Sequence, residues 1–191
     1  MKFDEYRPLA LRTAKMFPTS REDLRHAALG LITEIGEFAT EVKRHVIYGK
    51  PLTDEMIAHM REELGDACWY VPLGMEAFGV SALPSLSTKE TREMEVAIVH
   101  LTDAAFLLNL FSSTITGYAV KPNSADRYEV LIYLATIVFL INVIAVKFLG
   151  TTGDQLRADN IAKLRLRFPD KYSDDAAEAR ADKNGLPATL S

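Results

Sequence analysis

The chain has 191 residues, 48% of them hydrophobic and 25% charged, with a net charge of −4 from 22 basic and 26 acidic side chains, so it can fill one sizeable core without metal or disulfide staples and is not generally disordered. A pI near 5.6 leaves no electrostatic footprint for nucleic acid or an anionic membrane surface, and neither partner is expected. The single cysteine, Cys68, excludes a disulfide framework and a multi-cysteine zinc site; with an N-terminal stretch that lacks the apolar run of a signal peptide, it makes a cytoplasmic protein the expectation.

Apolar residues recur at steps of three and four with no alternating run, so an all-α helical bundle is expected. A first helix is placed at about 4–16, before Pro18, and Thr19 or Ser20 caps a long second helix that runs to about Tyr48. Gly49-Lys50-Pro51 breaks it. Thr53 or Asp54 caps the third helix, which carries EELGDACWYV at 62–71, with a bend expected at Pro72. Residues 79–87, with Gly79, Pro84 and three serines, read as a linker, and two helices follow at about 88–117 and 124–149, separated by Gly117 and KPNS at 121–124. A short amphipathic helix runs from about Asp154 to before Pro169, and the end of the polar tail is expected to be mobile. The organisation is thus one domain over 1–173, with an acidic helix pair (24–79), a second pair (88–150) and a basic helix (154–168), followed by the polar tail 174–191.

The runs 104–120 and 130–146 are free of charge and approach the minimum of about 17 residues for a membrane span. Asn109, four hydroxyl residues at 112–116, Gly117 and Asn142 interrupt them, and their connection lacks a marked basic flank, so they read as core helices rather than a hairpin in lipid. An internal repeat is also legible. Pro51 and Pro122 lie 71 residues apart, and that offset pairs Leu73 with Ile144, Phe78 with Leu149 and Gly79 with Gly150. The same offset sets Glu34, Glu37, Glu63 and Asp66 against Ala105, Leu108, Leu134 and Ile137, as if one helix pair kept its acids and a degenerate copy became core.

Those four acids are the candidate chemistry. Glu34 and Glu37 are three apart, as are Glu63 and Asp66, and residues three apart share a helix face. Acids at that spacing are common on solvated surfaces, but at about 100° per residue the second pair falls within the arc of Tyr70, Met56, Met60 and Leu73, with Arg61 and Cys68 on the other side. Carboxylates on a core-facing stripe must be neutralised by protonation, a basic partner or a cation, and no lysine or arginine lies on that stripe. A hairpin turning at 49–53 brings the pairs together as four oxygen ligands, a set suited to Mg²⁺, or Mn²⁺, rather than zinc. Gly30, Gly36 and Gly65 are expected to let the helices approach. His26, His45, His59 and His100 form no metal-spaced pair and read as surface or satisfied residues. Trp69 lines either a base pocket or the core, Lys43 and Arg44 at the end of the first acidic helix either approach phosphates or are simply solvated, and Asn160, Lys163 and Arg167 share a face of the basic helix, away from Leu164 and Leu166.

The arrangement E34-x-x-E37 followed after 25 residues by E63-x-x-D66, set in GLITEIGEF and EELGDACWYV, with NIAKLRLRFPDKYS at 160–173, resembles the MazG-type all-α nucleoside triphosphate pyrophosphohydrolases, whose superfamily includes dimeric dUTPases and phosphoribosyl-ATP pyrophosphohydrolases. The resemblance covers about 24–72 and 158–173; the stretch 80–150 departs from a minimal MazG domain and looks like the degenerate second half of dimeric dUTPases. It implies an enzyme that cleaves a nucleoside or deoxynucleoside triphosphate to monophosphate and pyrophosphate. Glu34, Glu37, Glu63 and Asp66 would be its metal ligands and catalytic acids, Asn160, Lys163, Arg167, Lys43 and Trp69 would bind substrate, and the chain would form a homo-oligomer. A dUTPase- or dCTPase-like hydrolase and a helical binding or scaffold protein without turnover are the alternatives.

Overall fold

Eight helices and no strand form among the residues that the computed structural model describes, 1–120 and 127–179, in agreement with the all-α bundle. Helix α1 (Phe3–Leu11) stops short of the expected residue 16. The Trp69 indole N–H and the Thr13 hydroxyl both donate to the Ala10 carbonyl, at 3.1 and 2.8 Å, which occupies an acceptor that a continuing helix would use. Residues 14–18 then form a loop, pinned where the Phe17 N–H donates to buried Asp23 at 2.8 Å.

Helix α2 (Ser20–Val46) starts at Thr19, which with Glu22 makes a reciprocal capping pair. Helix α3 (Asp54–Ala77) is capped by Thr53 and continues through Pro72. The single helix expected at 88–117 is two, α4 (Thr88–Ala97) and α5 (Leu101–Val120). The Asp103 carboxylate accepts from the Val99 and His100 N–H groups at 3.0 and 2.7 Å and so starts a new helix, while fully buried Ile98 and the Lys147 ammonium on its carbonyl fix the break. Neither glycine nor proline marks it. Helix α6 (Arg127–Lys147) and helix α7 (Gly153–Arg167), capped by Thr152, follow; the KPNS turn lies outside the described residues. Helix α8 (Asp174–Ala179) forms inside the stretch expected to be tail and packs on α7. The expected mobile end lies outside the described residues.

Helices α2, α3, α6 and α5 make a four-helix bundle: α2 packs on α3 and α5, and α6 on the same two helices. Its core holds Leu31, Ile35 and Phe38 of α2, Met60 and Leu64 of α3, Leu108 and Ile115 of α5, and Leu134 and Ile141 of α6, all 0% exposed. The counterparts of the four acids at an offset of 71, Ala105, Leu108, Leu134 and Ile137, are all buried, and the paired Gly79 and Gly150 share positive φ values of 62° and 59°. Among the described helices only α6 is long and apolar enough to cross a membrane, and 56% of its apolar window is buried.

Helices α1 and α7 cover the other side of α3, outside the bundle. Cys68 is 0% exposed there, its thiol pushed up to about 11 by burial. Arg61 donates to the Leu149 carbonyl at 3.0 Å. Gly65 lies where an added Cβ would meet the Leu156 carbonyl of α7 at 3.3 Å, and Gly30 where it would fall 2.0 Å from the Tyr70 ring, so both permit close packing as expected; Gly36 faces open space and does not.

Candidate active site

The α2–α3 hairpin brings the two acidic pairs together around Glu63. Glu34, Glu63 and Asp66 hold carboxylate oxygens within 4.8 Å of one another, and Glu37, Glu63 and His59 do the same with their ligand atoms. Glu63 is 5% exposed, because its helix face packs into the bundle next to Met60 and Leu64. Burial pushes its carboxyl up to about 9, helped by a hydrogen bond to Glu34 and by the charges of Asp66 and Glu37. Glu63 is therefore the protonated donor and Glu34 the acceptor. Glu34 is itself raised by burial despite that bond. Asp66 is raised by burial against the opposing pull of Lys163 and Asn160.

Helix α7 supplies the counter-charge that α3 lacks. The Lys163 ammonium donates to both oxygens of Asp66, at 2.5 Å to Oδ1, and to Glu62 Oε1 at 3.1 Å. Burial acts to lower its pKa, and the two carboxylates outweigh burial and raise it. Asn160, 4% exposed, donates from Nδ2 to Asp66 Oδ1 at 2.7 Å and accepts at Oδ1 from the Tyr6 hydroxyl at 2.7 Å. Asn160 thus orients Asp66. A chain Tyr6–Asn160–Asp66–Lys163 ties α1, α7 and α3 at one point, and the strict donor and acceptor roles leave it one arrangement.

His59 is exposed and its ring nitrogens face carboxylates, as a surface or satisfied residue would. Its Nε2 lies 2.9 Å from Glu63 Oε1 and its Nδ1 3.6 Å from Glu41 Oε1, and Glu41, 6% exposed, accepts from Arg44 Nη1 at 3.0 Å on both oxygens. Arg44 is thereby committed to Glu41, and Lys43 is exposed and does not line the cavity beside the acids. Neither lines that cavity, and both are exposed, the solvated alternative of the two.

That cavity, about 500 Å³, has the acids and Lys163 at one end and aromatic side chains at the other. Trp69 and Tyr70 follow Asp66 by three and four residues and therefore stand one turn along the same face. Their rings meet edge to face, 4.8 Å apart at 86°, and His26 is perpendicular to Tyr70 and to Phe17 at 5.7 and 5.4 Å. Burial raises Tyr70 to about 12 and lowers His26, so both are neutral near pH 7. Arg167 lines the same cavity, as does Leu164, expected to point elsewhere; Leu166 is exposed. Phe17 and His26 carried no signal in the sequence beyond being aromatic on helical or turn segments, whereas Tyr70 was marked by its four-residue step from Asp66. His59 carried one, its four-residue step to Glu63.

The oxygen-rich set around Glu63 could hold a hard divalent cation: Glu34, Glu37, Glu63 and Asp66 supply carboxylates from two rigid helices, and burial first, then the neighbouring acid charges, raises Glu34 and Glu63. No protein-family model, no curated protein and no solved structure matches the chain.

Proposed function

We propose that the chain is a metal-dependent nucleoside triphosphate pyrophosphohydrolase that releases monophosphate and pyrophosphate. The observation that carries this reading is the convergence of Glu34, Glu63 and Asp66 within 4.8 Å, with Glu37 alongside, in a cavity that also holds a lysine and aromatic rings. Mg²⁺ held by these acids would supply Lewis-acid charge at the triphosphate and lower the pKa of the attacking water. A carboxylate of α2 orients that water and takes its proton. Asp66 is held in place by Asn160, and Lys163 stands beside it as a cation for phosphate oxygens. Bound substrate lies with its phosphates toward the acids and its base toward Trp69 and Tyr70.

The test is pyrophosphate release from the eight common ribo- and deoxyribonucleoside triphosphates and from dUTP, with Mg²⁺, with Mn²⁺ and with excess chelator. Stoichiometric monophosphate and pyrophosphate, abolished by chelator, is the expected result. Silence across the panel would favour the scaffold reading, and confinement to dUTP or dCTP would narrow the enzyme to the pyrimidine type. A cytoplasmic location and a homo-oligomer belong to the same proposal, and sedimentation of the purified chain tests the second.

A further inference from the structure

The acid-remote end of the cavity is closed by two segments far apart in the chain, the loop 13–17 and the stretch 168–177. They are clasped to each other. The Tyr172 N–H donates to the Arg12 carbonyl at 3.1 Å and Arg12 Nη1 to the Pro169 carbonyl at 3.0 Å. Lys15 pairs with Asp174 at 2.6 Å, lies over the Tyr172 ring, and shares that carboxylate with the Tyr172 hydroxyl. Phe168, 4% exposed and 5.6 Å from Tyr172, anchors the far side. Arg167 turns into this clasp: its Nη2 donates to the Ala177 carbonyl at 3.2 Å and its guanidinium lies over the Phe168 ring. Lys163, one turn earlier on α7, turns instead to Asp66 and Glu62.

We propose that this clasp is the nucleoside-recognising wall of the site, and that the two α7 cations lining the cavity serve opposite ends of the substrate, Lys163 the phosphates and Arg167, with Tyr172, the nucleoside. The proposal rests on the pyrophosphohydrolase reading for which end takes phosphate. Its own support is the chemistry of the closed end. Trp69, Tyr70, Phe17, Phe168 and Tyr172 all line the cavity, and a planar heterocycle gains by stacking on such rings. A bare polyphosphate gains nothing from those rings. The ligand class is therefore a triphosphate bearing a flat base, and inorganic tripolyphosphate reaches only the acidic end. Tight pinning of Arg167 and Lys15 to backbone and carboxylate partners pre-organises the wall before any ligand arrives.

Trp69, the single tryptophan, reports on this end directly. Its fluorescence, excited at 295 nm, is measured during titration with each nucleoside triphosphate and with tripolyphosphate, in Mg²⁺, alongside turnover of both kinds of substrate. Saturable quenching by at least one nucleotide and none by tripolyphosphate is expected. Arg167→Ala and Tyr172→Ala should weaken nucleotide binding at least tenfold and lower the ratio of kcat/KM for nucleotide to kcat/KM for tripolyphosphate by the same factor. Lys163→Ala should lower both substrates together. Thermal melts identify a variant that has merely lost its fold, and Arg167→Lys, which keeps charge but not the planar fork, provides a second, milder change with the same expected direction. If no nucleotide perturbs Trp69, or if Arg167 and Tyr172 variants depress both substrates equally, the wall is refuted. If nucleotides quench Trp69 but nothing is hydrolysed, the wall stands and the enzyme reading fails.

Discussion

Replacing Glu63 by glutamine tests the acidic centre most directly, because two effects of opposite sign separate on the same preparation. The carboxylate has Glu34 and Asp66 oxygens within 4.8 Å, and two unit charges at that distance repel by about 3 kcal/mol at an effective dielectric of about 20. In the metal-free protein Glu63 avoids this by holding its proton, with its carboxyl raised to about 9. Its folded value lies above its unfolded one, so the stabilisation is complete below about pH 4.5 and is lost progressively as pH rises to about 9, at up to about 1.4 kcal/mol per unit. For a domain of this size that corresponds to a melting temperature falling by about 3–6 °C per unit. Glu63→Gln cannot ionise, so its metal-free melting temperature should match wild type near pH 5 and exceed it increasingly toward pH 9. Saturating Mg²⁺, at about a hundredfold over Kd, should stabilise wild type by about 2.7 kcal/mol and the variant by far less, and pyrophosphate release should vanish in the variant. Melts by circular dichroism from pH 5 to 9.5, with and without Mg²⁺, and the release assay decide the matter. Parallel pH slopes in both proteins, or Mg²⁺-dependent turnover in Glu63→Gln, would refute the reasoning.

Leu134→Ala removes a side chain that is 0% exposed and should cost about 2–5 kcal/mol in denaturant unfolding, with no direct effect on Mg²⁺ affinity, since α6 contributes packing and no ligand. Lys163→Ala should lower kcat/KM at least about tenfold, equal to about 1.4 kcal/mol, whereas Arg165→Ala on the exposed side of α7 should change it little; equal small effects would return α7 to solvated surface. Gly30→Ala gains about 1 kcal/mol of helix propensity but drives the new methyl to 2.0 Å from the Tyr70 ring, a displacement costing about 1–3 kcal/mol. A lower melting temperature together with altered nucleotide binding is expected, and a raised melting temperature with unchanged binding would show that the ring has another seat.

Local chemistry determined much of this protein. Helical periodicity settled the class, Thr19 and Thr53 the starts of α2 and α3, and Gly49 the turn between them, because caps, breakers and apolar period act over a few residues. The same short-range rule set Glu34 with Glu37 and Glu63 with Asp66 on shared faces, and the turn between the helices brought the pairs together. What acts across the chain was decided only by tertiary packing. Trp69 ends α1 from 59 residues away, and Asp103 with Lys147 splits 88–117 where no breaker stands. Helix α7, by lying on α3, gives Asp66 its counter-ion, seals Cys68 inside and assigns Asn160 to a carboxylate. Hydrogen-bond partners, burial and therefore pKa are properties of what surrounds a group, and Glu34 beside Glu63, Asn160 and Lys163 on Asp66, and the Ala177 carbonyl on Arg167 are partners that local spacing does not supply.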